Sequence, residues 1–474
     1  MMRPKPERRL RSPYRRHPAA SRWRGWASRY GGCVAAPGVA ARRRSPLVAL
    51  EASTLLSGTG NGITSVALPW LVLERTGSPA TAGAVAAAAA LPQLLGSLVV
   101  GALVDRVGRV RIAVAADVCS ALSVAAIPLV DATVGLTVPV LLALAVLGAA
   151  FDPAGFTARE TLLPAAAAAA GWRLERVNGA HEAVFGLAFL VGPGLGGVLV
   201  ATVGAAGTLW ATAVAFVLSV LLVAAVRLPG GGRPAQRSVG LWSDAVEGLA
   251  FVWRDRLLRT IALLTMGLVA LYLPVEGVVL PAYFVAESAP ERLGIVVMAM
   301  SGGGVVGALA FGAGGHRVRR RTAFVVSLVG SCAALLGMAA LPPYPALVAL
   351  GALVGLLYGP INPLANYAMQ TRTPERLRGR VVGVMTSSAY AAGPIGYLLA
   401  GQLVEGCGVR PAFLAMAGAL LVVALASVPA RSLRELDAPT GRPHRQVARR
   451  GPLPVCEGAA VPSPLPRSVD EHDA

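Results

Sequence analysis

Long apolar stretches recur along most of this 474-residue chain, and they limit its fold more than any other feature. Crossing the roughly 30 Å hydrocarbon core of a bilayer takes about twenty apolar residues in a helix, which satisfies its own backbone polar groups. The pattern predicts twelve such helices, at residues 47–73, 80–104, 110–130, 136–156, 178–203, 206–226, 258–285, 293–314, 323–341, 345–369, 381–404 and 411–428.

The composition also indicates a membrane protein. Hydrophobic residues make up 55% of the chain and charged residues 14%, whereas a soluble domain is about 25% charged. The five cysteines form neither a C-x-x-C pair nor a cluster with histidine, so we expect no bound metal and no disulfide framework. We therefore predict an all-α membrane protein with about 12 transmembrane helices.

The charge of the loops predicts how these helices are oriented. Loops after odd-numbered spans carry little positive charge, whereas loops after even-numbered spans are rich in arginine. The arginines assigned to the even loops are Arg106, Arg109, Arg111, Arg159, Arg173, Arg176, Arg254, Arg256, Arg259, Arg317, Arg319, Arg320, Arg321, Arg372, Arg376, Arg378, Arg380, Arg431 and Arg434. Basic loops stay on the cytoplasmic side, so we expect a multi-pass plasma-membrane protein with both termini in the cytoplasm.

The longest internal loop divides the chain into two halves of six spans each. It starts with Pro229 and three glycines and continues into an amphipathic stretch. We predict a disordered basic cytoplasmic tail (1–45), a six-helix bundle (46–228), a cytoplasmic linker (229–257), a second six-helix bundle (258–430) and a disordered tail (431–474). Two fragments repeat about 200 residues apart, at Gly101 and Gly307 and at Gly192 and Gly393, as expected for a parallel 6+6 repeat.

The segment between spans 2 and 3 is the most specific motif. It reads G-x-L-x-D-R-x-G-R-x-R and contains Gly101, Asp105, Arg106, Gly108 and Arg109. Its glycines permit a tight turn, and its acid and arginines suit a helix terminus near anionic head groups. The segment resembles the signature loop of the major facilitator superfamily.

That resemblance implies a function for the loop and for its acid. In the family the acid helps to latch the two halves together on the cytoplasmic side. Asp105 would then pair near Arg380, with Arg109 or Arg159 in the same network. The second copy of the motif has Phe311 where an acid would match Asp105, so the latch is expected on one side only.

A Gly-Pro motif in span 5 extends the resemblance. Gly192, Pro193 and Gly196 resemble the motif of the superfamily's drug:proton antiporters, and Gly393 and Pro394 in span 11 form a similar pair. The motif predicts close helix packing and a bend, with a specific gating role as the alternative. Shorter stretches, including Gly379 to Gly383, resemble the branch of macrolide and multidrug exporters.

Acids inside spans are costly and are candidates for carrying protons. Glu276 in span 7 lies between Pro274 and Gly277, which weaken the helix. The alternative is an acid that stays hydrated at the outer mouth. Asp152 and Glu182 are further candidates, although pairing of Asp152 and Asp117 with arginines, and helix capping by Glu182 and Glu51, are competing interpretations.

The resemblance places a substrate cavity between the halves, lined by spans 1, 4, 7 and 10. Polar and aromatic candidates on these spans are Asn61, Phe151, Tyr272, Tyr283, Tyr358, Asn362, Asn366 and Tyr367. Apolar walls with few polar groups suit an amphipathic organic molecule. Each of these residues could equally serve ordinary packing.

Together these features predict a secondary transporter, a proton-coupled exporter (antiporter) of drug-like or natural-product molecules. It would act as a monomer in lipid, with the proton gradient as energy source and no cofactor. An uptake carrier for a small metabolite and a polytopic membrane enzyme are the alternatives, but H-E-x-x-H and G-x-S-x-G motifs are absent from the sequence, so we expect no enzymatic activity. The net charge of +19 lies in tails and alternate loops, and we expect no nucleic-acid partner.

Overall fold

The computed structural model describes residues 44–226, 228, 241–374 and 377–437, with side chains except at 94–106, 175, 241–245, 316, 379 and 389. Helices joined by short turns account for nearly all of these residues, and no strand occurs in these ranges. The predicted tail 1–45 lies almost wholly outside the described residues, as does the predicted tail 431–474 beyond residue 437. The start of the second tail is ordered, because Arg431–Asp437 forms a 3-10 helix that buries Leu433 and Leu436.

The first half contains six helices. They are α1 (Ser45–Thr76), α2 (Pro79–Val107), α3 (Arg109–Thr133), α4 (Val138–Ala170), and a run over Leu174–Ala224 that divides into α5 (174–203) and α6 (205–224). The division falls at Gly204, whose φ of 75° and ψ of 168° are non-helical. Glycine adopts this conformation without the steric cost that a Cβ would add.

The second half begins with a short amphipathic helix. The bounds are α7 (Leu241–Arg254), α8 (Arg256–Ala286), α9 (Pro290–Gly314), α10 (Arg320–Ala339), α11 (Tyr344–Arg372), α12 (378–407) and α13 (Val409–Ser427). The amphipathic stretch predicted in the linker thus forms α7, and α8 to α13 correspond to predicted spans 7 to 12.

Three helices of the second half are interrupted. Helix α8 contains a π-helical turn, α11 is interrupted by a turn at Gly359, and α12 breaks at Ala392. A proline stands beside each interruption (Pro274, Pro360 and Pro394). Proline removes a backbone donor and clashes with the preceding turn, which favours a break beside each of these prolines.

The helices are long and apolar enough for a multi-pass membrane protein. Eight in the described part of the chain meet this requirement, and one of them, Arg176–Ala224, divides at Gly204 into two. Helices α1, α2 and α12, which are not among these eight, correspond to predicted spans 1, 2 and 11. Helix α4 reaches Ala170, well beyond the predicted limit at residue 156, because its last turns pack against α1 and the start of α5 and bury Leu162, Leu163 and Ala166.

The two halves pack in related ways. In the first half α1 contacts α5 and α6, and α4 contacts α2 and α3; in the second, α11 contacts α9 and α10. The halves meet mainly where α2 contacts α12 and where α5 contacts α9. The 6+6 repeat matches α2 with α9 and α5 with α12, so these two contacts are equivalent. We call the end that carries Arg109, Arg173, Arg256, Arg320 and Arg378 the arginine-rich end.

Candidate functional site

The signature segment occupies the end of α2 and the start of α3. Gly101, Asp105 and Arg106 lie within α2, and Gly108, with a φ of 105°, joins α2 to Arg109, the first residue of α3. This positive φ is the tight turn expected from the sequence. The side chains of residues 101 to 106 lie outside the described set, so the pairing of Asp105 with Arg380 stays a prediction.

Arg380 has a described partner on the linker helix. Its guanidinium contacts the carboxylate of Glu247, and the backbone of α7 lies so close that a Cβ at Gly248 would be 2.9 Å from the carbonyl oxygen of Arg380. Helix α7 therefore covers the start of α12 at the arginine-rich end. The sequence predicted the amphipathic character of α7, but not this contact.

Arg159 lies in the interior of the first half, in contrast to its predicted place in a loop. Its side chain is 5% exposed and forms an ion pair with Asp117 of α3, whose side chain is 3% exposed. The extra turns of α4 carry Arg159 inward to Asp117, while its predicted place in the network around Asp105 stays a prediction. Pairing of Asp117 with an arginine agrees with the sequence-based interpretation.

Serine hydroxyls complete this buried network. Ser219 of α6 donates to Asp117 Oδ2 at 2.6 Å, Ser57 of α1 donates to Oδ1 at 3.1 Å, and Ser120 donates to Asp152 Oδ1 at 3.0 Å. The network joins α1, α3, α4 and α6. Asp152 thus lies beside the ion pair. The serines could not be predicted from the sequence, because single serines in apolar helices form no distinctive pattern.

Glu276 lies in the π-helical turn of α8. This turn, Val275–Val279, follows Pro274, which agrees with the weakened helix predicted from the sequence. Glu276 is half-buried, whereas Val275, Val278 and Val279 are buried. A π-turn redirects side chains and frees backbone groups, and such turns often occur at functional sites.

Tyrosines surround Glu276. Tyr272 lies one turn before it and stacks on Tyr358 of α11, with 5.4 Å between ring centroids. Tyr397 of α12 lies against the same turn, since a Cβ at Gly277 would be 2.9 Å from its Cε1 atom. The structure therefore brings together Glu276, Tyr272 and Tyr358 from the predicted set and adds Tyr397, which sequence analysis did not select because its span was not expected to line the cavity.

The other cavity candidates are placed differently. Asn362 and Asn366 are exposed one turn apart on α11, and Asn61 and Phe151 are half-buried on α1 and α4. Tyr283 packs edge to face on Phe284 against the hydrophobic core. Tyr367 lies beneath the guanidinium of Arg320 at 4.2 Å, so it belongs to the contact between α10 and α11.

The Gly-Pro motif of α5 packs tightly against α1. A Cβ at Gly192 would lie 2.8 Å from the Cα of Gly62, and one at Gly196 would lie 3.0 Å from the carbonyl oxygen of Ile63. Pro193 contacts both neighbours, because its ring lies beside Gly62 and its carbonyl oxygen lies beside Gly294 of α9. The motif thus joins packing within one half to contact between the halves.

The corresponding motif of α12 packs through a different glycine. A Cβ at Gly393 would meet no atom within 4 Å, and Pro394 is buried beside the break at Ala392. The close approach is made by Gly396, where a Cβ would lie 1.9 Å from the carbonyl oxygen of Ala270. The sequence pattern therefore located the tight packing correctly to within three residues.

Glu182 and Glu51 are not helix caps, in contrast to one interpretation of the sequence. Helices α5 and α1 begin at Leu174 and Ser45, so both acids lie well inside their helices. Glu51 Oε2 lies 3.1 Å from Nδ1 of His181. Glu182 lines a cavity of about 290 Å³ between α4 and α5, together with Glu160, Asn178 and His181.

Close contact between the halves occurs at the end opposite the arginine-rich end. Between α2 and α12, a Cβ at Gly401 would lie 2.7 Å from the carbonyl oxygen of Pro79, and a Cβ at Gly83 would lie 2.4 Å from that of Tyr397. Between α5 and α9, a Cβ at Gly197 would lie 2.5 Å from the carbonyl oxygen of Pro290. Both equivalent contacts, α2 with α12 and α5 with α9, are therefore closed at this end.

Glu405 of α12 adds a polar contact there. It accepts hydrogen bonds from the Ser78 hydroxyl at 2.5 Å and from the backbone N–H of Ala80 at 2.9 Å, at the start of α2. These two bonds lower the pKa of Glu405 below its ordinary value, and the bond from Ser78 has the larger effect.

Two bundles of membrane-crossing helices that meet around a polar interior define a membrane transporter. The sequence profile of the Major Facilitator Superfamily matches residues 50–278 and 275–465, and the chain belongs to this superfamily.

Two relatives are similar over most of their length. The multidrug efflux pump Tap of Mycobacterium tuberculosis is 48% identical over 399 residues, which cover 83% of this chain and 95% of the relative. The multidrug efflux pump Tap of Mycolicibacterium fortuitum is 47% identical over 401 residues, with 83% and 98% covered. Among solved structures, a D323A mutant of the nucleoside transporter NupG matches with a TM-score of 0.69 at 14% identity, covering 80% of this chain and 98% of that one, and shows the shared fold.

Proposed function

We propose that this protein exports drug-like or natural-product molecules across the plasma membrane, and that inward flow of protons drives the export. Similarity to two proteins named multidrug efflux pumps supports export. In this proposal the arginine-rich end and both termini are cytoplasmic, following the charge of the loops. The functional unit is a monomer that needs lipid, protons and a small-molecule substrate, but no cofactor, enzymatic activity or nucleic acid.

The position of Glu276 is the observation that carries proton coupling. It is a carboxyl group in an apolar helix, at a π-turn, with tyrosines from α8, α11 and α12 around it. A carboxyl group in such a place exchanges its proton with either side only when the helices around it move. Binding of a cationic or polar substrate and of a proton at this group would then exclude each other, which is the requirement for antiport.

The contacts between the halves support alternating access. Glycines close the end opposite the arginine-rich end, while Glu160, Leu174, Asn178 and Glu182 of α4 and α5 are exposed at the arginine-rich end. This arrangement corresponds to a state that is open toward the cytoplasm. Because α2–α12 and α5–α9 are equivalent contacts, a rocking motion can close one end as it opens the other.

Transport of the Glu276→Gln variant tests the proposal. Inverted membrane vesicles that contain the protein, a pH-sensitive dye and an imposed proton gradient are exposed to a panel of amphipathic compounds. The parent protein should dissipate the gradient with at least one compound. Glu276→Gln should lose this activity but keep counterflow of the same compound, because substrate exchange needs no proton.

A matched variant and two outcomes complete the test. Glu287→Gln changes an exposed carboxyl group at the end of the same helix and should behave as the parent does. Proton-coupled transport by Glu276→Gln at the parent rate would exclude Glu276 as the proton carrier. If no compound in the panel dissipates the gradient in the parent, the antiport proposal is wrong. Accumulation of a metabolite inside right-side-out vesicles would instead favour an uptake carrier.

A further inference from the structure

Carboxylates and aromatic rings lie side by side where α4 and α5 approach each other at the arginine-rich end. The cavity there, of about 290 Å³, has Glu160, Asn178, His181 and Glu182 in its wall. Glu160 and Glu182 are exposed, and both lie in the same cavity wall as His181. Neither carboxylate has a basic residue at salt-bridge distance among the described residues.

His181 has an unused ring nitrogen beside this cavity. Its side chain is 4% exposed, Nδ1 lies 3.1 Å from Glu51 Oε2, and Nε2 has no hydrogen-bond partner. Glu51 Oε1 is also buried without a partner. A buried polar atom without a partner destabilises the fold, so native structures contain few of them and each requires an explanation. When the ring is neutral and carries its proton on Nδ1 toward Glu51, Nε2 is an acceptor.

Phenylalanine rings continue from this cluster along the two helices. Phe156 of α4 lies 6.4 Å from the His181 ring and 5.1 Å from Phe185, which in turn lies 4.8 Å from Phe189, all between ring centroids. Asn178, Glu182, Phe185 and Phe189 follow one another at helical spacing and therefore share one face of α5. Leu187, Leu195 and Val198 are exposed on a different face, which suits lipid.

The chemistry of this surface favours an organic cation. Carboxylates attract positive charge, aromatic faces bind both cations and flat apolar groups, and an imidazole nitrogen accepts from an ammonium N–H when the ring is neutral. A metal ion fits poorly, because the described residues contain no group of three or more His, Cys, Asp or Glu side chains that could hold one.

We propose that this cavity is a cytoplasmic entry subsite that binds the positively charged group of an amphipathic substrate, with Phe156, Phe185 and Phe189 beside its apolar part. The inference rests on the proposed function, because it names the class of molecule that the exporter takes. The subsite binds a substrate by its positive charge before the substrate reaches Glu276. An uncharged molecule of the same size gains no affinity from the subsite.

Direct binding to the purified full-length protein in detergent tests the subsite. Ethidium, a flat organic cation, and 1-N-phenylnaphthylamine, a neutral amphipathic compound, are titrated with fluorescence as the readout. The Glu160→Gln/Glu182→Gln variant should raise the Kd for ethidium about tenfold and leave the Kd for the neutral probe unchanged, because it removes two charges and little volume. Glu74→Gln, an exposed carboxyl group at the opposite end, is the matched control.

Other variants examine the aromatic part and the histidine. Phe189→Leu should weaken ethidium binding, and because Phe189 is 41% exposed the change should leave the melting temperature near that of the parent. His181→Asn should also weaken ethidium binding. If this variant also lowers the melting temperature, its loss of binding is not interpreted, and the Glu160→Gln/Glu182→Gln variant decides whether the subsite exists.

The outcomes separate this inference from the proposed function. If the double variant binds ethidium as tightly as the parent does, or loses affinity for both probes equally, the subsite is overturned while export and coupling stand. If the parent protein dissipates no proton gradient in vesicles, the proposed function fails, and binding still decides whether the cavity takes organic cations.

Discussion

At the residue scale, the pair Asp117–Arg159 gives the sharpest prediction for stability. Asp117→Ala leaves a guanidinium buried and without its partner, and such a loss costs about 3–5 kcal/mol. We therefore expect a clear fall in melting temperature of the purified protein, measured by differential scanning fluorimetry. The double variant Asp117→Leu/Arg159→Met removes both charges and should recover much of that loss.

The serines around the pair limit this recovery. Ser57 and Ser219 donate to Asp117 in the parent and would lose this acceptor in the double variant, in which Ser219 keeps the carbonyl oxygen of Ser53 at 3.0 Å. A double-mutant cycle separates the terms, because independent residues would give additive changes. Additive losses in the double variant would contradict a coupled buried pair.

Candidate residues can be predicted from the sequence more readily than their partners in the fold. Glu276 could be selected because an acid beside proline and glycine in an apolar segment is a local pattern. The contacts of Arg159, His181 and Glu405 could not be predicted from the sequence, because each joins helices that are far apart in the chain. Arg159 was placed in a loop because composition gave no reason for α4 to continue past the membrane core.

At the scale of elements, the helix limits agree with the sequence because apolar length and turn residues are local signals. Gly108 and Gly204 interrupt helices where the sequence placed a turn and a short loop. The interrupted α8 was also foreseen from Pro274 and Gly277. In α12 the break lies at Ala392 and the close approach at Gly396, a few residues from the predicted pair Gly393 and Pro394. Contacts with α8 determine which glycine is needed.

Packing of α8 against α12 can be tested at Gly396. Gly396→Ala places a methyl group 1.9 Å from the carbonyl oxygen of Ala270, so the helices must separate, at a cost of about 1–3 kcal/mol. Gly406→Ala on the same helix meets open space and should be neutral, or stabilising by up to about 1 kcal/mol. Melting temperatures of the two variants provide the comparison, and equal values would contradict the observed packing.

At the scale of the whole molecule, the arrangement of the two halves depends on a few contacts that are absent from any single helix. Glycines at α2–α12 and α5–α9 let backbones approach at one end, and Glu405 adds the only carboxylate contact that we find between the described parts of α2 and α12. Loop charge predicted the orientation of the helices, whereas the end that is closed could be recognised only from the assembled structure.

The contact of Glu405 should make the closed end sensitive to pH. Its lowered pKa means that the ionised form is stabilised by Ser78 and Ala80, so the contact is complete at neutral pH and is lost as pH falls through that lowered pKa, below the ordinary value of 4.5. Spin labels at Val134 and Arg410, in a protein without native cysteines, report the separation of the halves at this end by electron–electron resonance. We expect constant distances from neutral pH down to that range, and longer ones below it. Glu405→Gln should lengthen the distances already at neutral pH, whereas Glu74→Gln should not; identical distributions in all three proteins would show that Glu405 does not hold this end closed.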